Sequence, residues 1–95
     1  MGKIKSFANK ETERIFHQEF VKGFSASVQE VGLRKLIMMD AAESLQDLRV
    51  PPGNRLEKLY GDRDGAYSIR INNRYRIVFK EINGCFHDVS IEDYH

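Results

Sequence analysis

The fold of this chain is decided by residues 66–79, "AYSIRINNRYRIVF", in which apolar and polar side chains alternate with a period of two. This alternation predicts two β-strands joined by a tight connection. A two-residue turn would place Ile71 opposite Arg74 and mix arginine into the apolar face. A loop through residues 72–74 instead pairs Ile71 with Tyr75. We predict the second register, because it gathers six apolar side chains on one face: Tyr67, Ile69, Ile71, Tyr75, Ile77 and Phe79.

The opposite face of this hairpin carries Arg70 and Arg76. One face of an antiparallel sheet is commonly left to solvent, so the sequence predicts an open, arginine-bearing surface there. Downstream, Asn83-Gly84 is a strong signal for a second hairpin. The core-side residues of the following strand are predicted to be His87, Val89 and Ile91.

The sequence before the hairpin has helical periodicity. A short strand is possible at residues 3–8, and Asn9 is a plausible N-cap for a first helix. The apolar stripe of that helix is predicted to be Ile15, Phe16 and Phe20. "SVQE" at residues 27–30 has capping-box spacing ahead of a longer helix. Its buried face is predicted from residues spaced three and four apart: Leu33, Ile37, Ala41, Leu45 and Leu48.

These patterns predict a single α+β domain over residues 1–95, with two N-terminal helices packed on one face of a small, mostly antiparallel sheet. No apolar run approaches the roughly 20 residues of a membrane span, and no signal peptide is predicted. The single cysteine, Cys85, fits a reducing cytoplasm. We therefore predict a cytoplasmic protein with no membrane partner.

Charge is distributed unevenly along the chain. Residues 49–80 hold eight Lys and Arg against three Asp and Glu, whereas residues 81–95 hold four acids and no Lys or Arg. An arginine-rich region suits phosphate, because the guanidinium is planar and permanently charged. Nucleic acid is therefore one interpretation, and a solubilising surface neutralised by the acidic tail is the other.

Few side chains in this sequence are candidates for metal binding or catalysis. The three histidines are far apart and lack metal-ligand spacing, so no metal or cofactor is predicted. RNA cleavage without metal needs an acid, a base and a cation that stabilises the pentavalent phosphate. Arg76 meets the last need, and Tyr94 could stack on a base or donate a proton. The potential acid–base groups are His95, Asp93 and Glu57. A merely solvated sheet face remains the alternative interpretation.

The stretch 51–79, "PPGNRLEKLYGDRDGAYSIRINNRYRIVF", followed by the closing "EDYH", resembles the HigB branch of the RelE/ParE toxin superfamily. The resemblance extends along nearly the whole chain. It implies a RelE/ParE-like fold and the toxin of a type II toxin–antitoxin pair. It further implies a ribosome-dependent endoribonuclease that cuts mRNA in the ribosomal A site, by attack of the 2′-hydroxyl and with translation inhibited as the result.

The same resemblance assigns residues and partners. It implies a catalytic Arg76 and a terminal catalytic triplet, Asp93, Tyr94 and His95. The resemblance further implies four residues that bind ribosomal RNA: Lys58, Arg63, Arg70 and Arg55. Glu57 stands where some of these toxins have a catalytic histidine, and Tyr60 where a basic residue can occur. The implied partners are a HigA-type helix-turn-helix antitoxin, the 70S ribosome and mRNA, with operator DNA reached only through the antitoxin.

Two other functions fit the same scaffold. One is a non-catalytic inhibitor like the gyrase poisons of the ParE branch, although the terminal "EDYH" argues against it. The other is a degenerate toxin that acts as a co-repressor with its antitoxin, which the Glu57 departure makes relevant. For strict alternation after Ile91, Glu92 would face the arginine side and Asp93 would face away. Asp93, Tyr94 and His95 would then reach the site together only if the chain turned.

Overall fold

The computed structural model describes residues 2–94 and contains two helices and a four-stranded antiparallel sheet. The strands lie in the order β1-β2-β3-β4, which is also their order along the chain. The element bounds are α1 Lys10–Phe16, α2 Ala26–Ala41, β1 Glu57–Lys58, β2 Ala66–Arg70, β3 Tyr75–Ile82 and β4 Cys85–Asp93. The predicted α+β fold is confirmed.

The predicted register of the β2–β3 hairpin is also confirmed. Ile69 lies opposite Ile77, and Tyr67 lies opposite Phe79. The Ile71 amide donates to the Tyr75 carbonyl at 3.0 Å, which closes the loop over residues 72–74. Asn72 explains this loop, because its side-chain oxygen accepts hydrogen bonds from the amides of residues 74 and 75, each at 2.8 Å.

The main core lies between the helices and the apolar face of this hairpin. The predicted apolar face is confirmed at Leu33, Leu45 and Leu48, which lie in or against the core. It is wrong at two positions, because Ile37 is 51% exposed and Ala41 is exposed. The residues that α2 buries are Val28, Gln29, Gly32, Leu36 and Met39. α2 ends at Ala41, and Leu48 belongs to a separate 3₁₀ turn, Leu45–Arg49. The prediction treated α2 and this 3₁₀ turn as one helix, and for that reason it assigned two exposed residues of α2 to the buried face.

The ends of the helices differ in part from prediction. Asn9 caps α1 by accepting a hydrogen bond from the Thr12 amide at 2.9 Å, as predicted. α1 stops at Phe16, however, and Phe20 is 72% exposed rather than buried. The N-cap of α2 is Ser25, two residues before the predicted position, and its hydroxyl oxygen accepts from the Val28 amide.

β4 contains an irregularity that changes which side chains reach the core. Asn83 and Gly84 both have positive φ, at 52° and 81°, and form the predicted two-residue hairpin turn. The β3–β4 register shifts beyond that turn, where Asp88 has a φ of 52°. This extra residue sends Phe86 into the core with Val89 and Ile91, while the half-buried His87 pairs with Lys80 instead. The core-side prediction for His87 was therefore wrong.

The N-terminal segment runs parallel to the outer edge of β4. Bridges join Ile4 to Phe86 and Phe7 to Val89, with hydrogen bonds between 2.8 and 3.1 Å along residues 3–8. Thr12 adds a contact from α1, because its hydroxyl oxygen accepts from the Ile91 amide at 3.0 Å. β4 is consequently flanked on both sides. None of the helices within residues 2–94 combines the length and apolar character needed to cross a bilayer.

Candidate active site

The second face of the sheet is partly covered, which corrects the expectation of an open surface. Leu59, Ala66 and Val78 form a small second cluster on it. Ser68 is fully buried, and Arg76 is only 7% exposed. The coverage leaves a pocket of about 310 Å³ beside Arg76. The residues that line it are Arg55, Glu57, Arg70, Asn72, Asn73, Arg76 and Tyr94.

Arg76 is held in this pocket by hydrogen bonds from two of its three nitrogens. Nε donates to the Ser68 hydroxyl oxygen at 2.8 Å, and Nη2 donates to the Arg55 carbonyl at 2.6 Å. Nη2 also reaches the Ser68 carbonyl at 3.4 Å. None of these contacts uses Nη1. These contacts fix the orientation of the guanidinium, and no hydrogen bond within residues 2–94 uses Nη1, the nitrogen that could bind an anion.

The carbonyl of Arg55 points at Arg76 because of the backbone geometry before it. Arg55 adopts the left-handed conformation, with a φ of 47°, directly after the 3₁₀ turn Pro52–Asn54. Asn54 is fully buried, and its amide nitrogen donates to the carbonyls of Leu48 and Val50 at 3.2 and 3.4 Å. Asn54 therefore anchors the corner that presents the Arg55 carbonyl to the site.

A carboxylate and a phenol complete the pocket. Glu57 Oε1 lies 3.9 Å from Arg76 Nη2, and the Glu57 side chain is about half exposed. The Tyr94 ring centroid lies 5.3 Å from Arg76 Cζ, in cation–π range. β4 continues to Asp93 without a turn after Ile91, so Asp93 and Tyr94 do not reach this pocket together. Alternation at the end of the strand brings Tyr94 to the pocket, and Asp93 does not line it.

The remaining predicted site residues lie at or beyond the edge of this pocket. Asp93 accepts a hydrogen bond from Arg74 Nε at 2.8 Å. Arg63 forms an ion pair with Glu92 at 2.7 Å, and the Lys58 ammonium lies 6.0 Å from the centre of the Tyr60 ring. His95 falls outside the described residues. Arg55, Arg70, Arg76, Glu57 and Tyr94 are therefore the predicted residues that the structure brings together.

Several side chains around the pocket have shifted pKa values, among them Glu92 and Lys35. Burial alone would raise the pKa of Glu92, but hydrogen bonds from Arg63 and Ser90 outweigh it and lower the pKa from its ordinary value. Burial, followed by the positive charges of neighbouring arginines including Arg70 and Arg76, lowers the pKa of Lys35. Lys35 projects from α2 and donates to the Arg70 carbonyl at 2.5 Å.

Sequence reasoning did not single out Ser68, the loop amides Asn72 and Asn73, or Lys35. Strict alternation does predict that Ser68 shares a face with Arg76, but no sequence pattern assigned Ser68 a role in the site. Asn73 accepts a hydrogen bond from the Arg70 guanidinium, which links the loop to the pocket. Lys35 gave no signal, because the phase of α2 had been assigned incorrectly.

A buried guanidinium, a carboxylate and a phenol around one pocket are suited to a phosphodiester. The cation binds phosphate oxygens, and the other two groups can accept and donate protons. Within residues 2–94, no group of three or more His, Cys, Asp or Glu side chains is arranged to hold a metal ion. The residues that line the pocket offer acid–base groups beside a fixed positive charge.

The fold is that of the small RelE-like toxins. The chain superposes on a chain of the YoeB–YefM complex from Staphylococcus aureus with a TM-score of 0.58, at 19% identity, covering 100% of this chain and 98% of the other. A family model described as the RelE-like toxin of type II toxin–antitoxin system HigB matches residues 5–95. The chain belongs to this HigB-like toxin family, as the sequence resemblance predicted.

Individual relatives agree with this assignment. A protein named Endoribonuclease HigB from Proteus vulgaris is 33% identical over 92 residues, covering 97% of this chain and 99% of the relative. A protein named Toxin HigB-1 from Vibrio cholerae serotype O1 is 46% identical over 59 residues. That match spans 62% of this chain and 62% of the relative.

Proposed function

We propose that this chain is a ribosome-dependent endoribonuclease that cleaves mRNA in the ribosomal A site and thereby stops translation. The observation that carries the proposal is the pocket in which Glu57 and Tyr94 meet the buried Arg76. Family membership supports the toxin role, and the Proteus vulgaris relative named as an endoribonuclease supports the reaction class. We further propose that the protein acts in the cytoplasm.

The proposed reaction is an internal transesterification. Glu57 accepts the proton of the 2′-hydroxyl, whose oxygen forms a bond to phosphorus while the bond from phosphorus to the 5′-oxygen breaks. Arg76 stabilises the charge that builds on the phosphate oxygens. Tyr94 or His95 donates a proton to the departing 5′-oxygen. The products are a 2′,3′-cyclic phosphate and a free 5′-hydroxyl, and no other reactant is consumed.

Asp93 has a positioning role in this proposal. Its carboxylate is paired with Arg74, and the Tyr94 amide donates to the Arg74 carbonyl at 2.7 Å. The two contacts tie Asp93 and Tyr94 to Arg74, in the loop that precedes β3. Asp93 would therefore keep Tyr94 aligned with the pocket.

Four basic residues around the pocket are proposed to contact ribosomal RNA: Lys58, Arg63, Arg70 and Arg55. All four are lysine or arginine, and none is fully buried. Phosphate contacts of this kind give affinity without sequence preference. We also propose a HigA-type helix-turn-helix antitoxin as the protein partner, through which operator DNA is reached.

The proposal is tested by incubating purified protein with a translated mRNA, with and without 70S ribosomes. We expect cleavage only when ribosomes are present, and a loss of roughly 100-fold or more in Arg76→Ala. The matched control is Arg49→Ala, an exposed arginine that does not line the pocket. Equal cleavage with and without ribosomes, or an unchanged cleavage rate in Arg76→Ala, contradicts the proposal. Damaged DNA with intact mRNA on expression would indicate a gyrase poison instead.

A further inference from the structure

The loop over residues 72–74 forms part of one wall of the pocket beside Arg76. Asn72 and Asn73 line the pocket from the loop, and Arg70 lines it from the end of β2. Residues 72–74 are exposed, so the loop projects from the body of the protein. The position of this wall therefore depends on the contacts that fasten the loop to the rest of the fold.

Lys35 fastens the loop from the helical side. Its ammonium, which α2 carries, donates to the Arg70 carbonyl at 2.5 Å. α2 comes close to the sheet here, because a Cβ at Gly32 would lie 3.1 Å from Ile91 Cδ1 and 3.5 Å from Ile71 Cδ1. Gly32 and Lys35 are three positions apart and therefore lie on the same side of the helix. The close approach at Gly32 brings Lys35 within reach of the end of β2.

The Arg70 carbonyl takes its donor from outside the β2–β3 ladder. The Ile71 amide donates to the Tyr75 carbonyl. Arg70 and Arg76 are therefore a non-hydrogen-bonded pair, whose backbone groups point away from each other. β1 lies on the outward side of β2, but its pairing with β2 ends two residues before Arg70. Lys35 thus supplies the hydrogen bond that a longer β1 would otherwise provide.

The positive charge of Lys35 lies where it is disfavoured. Burial, followed by the charges of Arg34, Arg70 and Arg76, lowers the pKa of the ammonium. None of the ion pairs formed within residues 2–94 includes Lys35. A charged side chain that is held in this way beside an arginine-lined pocket is typical of a functional position.

We propose that Lys35 is a positioning residue of the site, because it fixes the wall that Arg70 and the loop over residues 72–74 form. This inference rests on the proposed function, which gives the pocket its reaction. Lys35 acts through the Arg70 carbonyl and does not itself line the pocket. The Arg70 guanidinium in turn contacts the Asn73 side chain, so one backbone position controls two of the lining side chains.

The loop also connects Lys35 to the end of β4. The Tyr94 amide donates to the Arg74 carbonyl at 2.7 Å, and Arg74 Nε donates to the Asp93 carboxylate at 2.8 Å. A loop that is released from α2 would therefore move Arg70 and Tyr94 together, relative to the fixed guanidinium of Arg76.

The test replaces Lys35 by methionine, a side chain of similar length without a donor, and measures amide hydrogen exchange in the free protein by NMR. In Lys35→Met we expect exchange at the Ile71 and Tyr94 amides to become roughly 10-fold faster, because local opening of the loop is easier. The Phe86 amide, which donates to the Lys3 carbonyl at the outer edge of β4, should keep its exchange rate. Lys35→Arg, which retains a charged donor, should restore the wild-type rates.

The same variants are compared in the cleavage of ribosome-bound mRNA. Lys35→Met should lower kcat by roughly 10-fold with little change in KM, because a displaced wall misaligns the reacting groups. Lys35→Arg should recover most of the lost kcat. The matched control is Arg34→Met, which removes one exposed positive charge from α2 beside Lys35. It should change neither kcat nor the exchange of the Ile71 amide.

Wild-type exchange at Ile71 in Lys35→Met overturns the proposal. An equal increase at Ile71 and Phe86 also overturns it, because that result indicates general destabilisation. Where the wild type cleaves mRNA, an unchanged kcat in Lys35→Met does the same. A wild-type protein that cleaves no mRNA contradicts the proposed function instead. Faster exchange that is confined to the loop would still support the positioning of the pocket wall by Lys35, since it is measured without RNA.

Discussion

At the scale of single residues, the site depends on how one cation is held. Arg76 uses Nε and Nη2 for contacts with Ser68 and the Arg55 carbonyl. A lysine at position 76 could not reproduce these contacts, because an ammonium is a point donor without a fixed fork. The precision of the site therefore lies in the groups that orient the guanidinium as much as in the charge itself.

Ser68→Ala tests this orientation. The change leaves Nε of Arg76 without its buried acceptor, so the guanidinium is expected to lose its fixed position. We expect kcat for ribosome-bound mRNA to fall by roughly 10-fold while KM changes little, because the charge that attracts RNA remains. The control is Ser90→Ala, a second buried serine, which does not contact Arg76. A change confined to KM would argue against a positioning role.

Glu57 is the residue whose chemistry is easiest to test by exchange. Glu57→Gln keeps the size of the side chain but removes the proton acceptor, so we expect cleavage to slow by roughly 100-fold. Glu57→His should restore activity, because imidazole can act as the base. The restored activity should rise with pH around the ordinary histidine range, near about 6.5. Asp62→Asn, in the exposed turn, is the control.

At the scale of elements, the strands were predicted well and the helices less so. The loop at residues 72–74 followed from face matching, since the alternative two-residue turn mixed arginine into the apolar face. The buried face of α2 was predicted incorrectly in part, because the apolar residues of the helix continue with helical spacing into the 3₁₀ turn Leu45–Arg49. His87 was misplaced because no sequence pattern marks the irregularity at Asp88. The approach of Tyr94 to Arg76 followed from strand continuity, which the sequence alone left open.

The β3–β4 turn offers a stability test. Gly84 has a φ of 81°, where an alanine side chain is strained, so Gly84→Ala should cost about 1 kcal/mol. Gly53 lies in open space and has no such φ, so Gly53→Ala should be neutral or slightly stabilising. Urea unfolding measures both, and equal effects of the two substitutions would contradict the assignment of strain to the turn.

The Arg63–Glu92 contact gives a pH-dependent stability at the same scale. Because the folded state lowers the pKa of Glu92 from 4.5, its contribution is present above that value and is lost as pH falls through the folded pKa. Glu92→Gln should therefore reduce the free energy of unfolding by about 1 kcal/mol at neutral pH, and the difference should shrink in acid. Glu30→Gln on exposed α2 is the control. If the stability difference between the wild type and Glu92→Gln does not change with pH, the ionised Glu92 carboxylate is not its cause.

At the scale of the whole molecule, the charge of the sheet side is expected to govern ribosome binding. The net charge is only +1, but the basic residues cluster in the segment 49–80. Lys58→Ala should weaken binding and reduce the dependence of log affinity on log salt by about one phosphate contact. Lys10→Ala, on the exposed start of α1, should do neither. An unchanged salt slope in Lys58→Ala would remove Lys58 from the RNA contact surface.

The parallel pairing of residues 3–8 with β4 has a consequence for folding. Ile4 bridges Phe86, so the contact joins segments that lie far apart along the chain. Phe86, Val89 and Ile91 also fill the core under the helices. A chain from which β4 is deleted would therefore have no closed core, because the core is completed by a contact of high sequence separation, the kind that forms slowly.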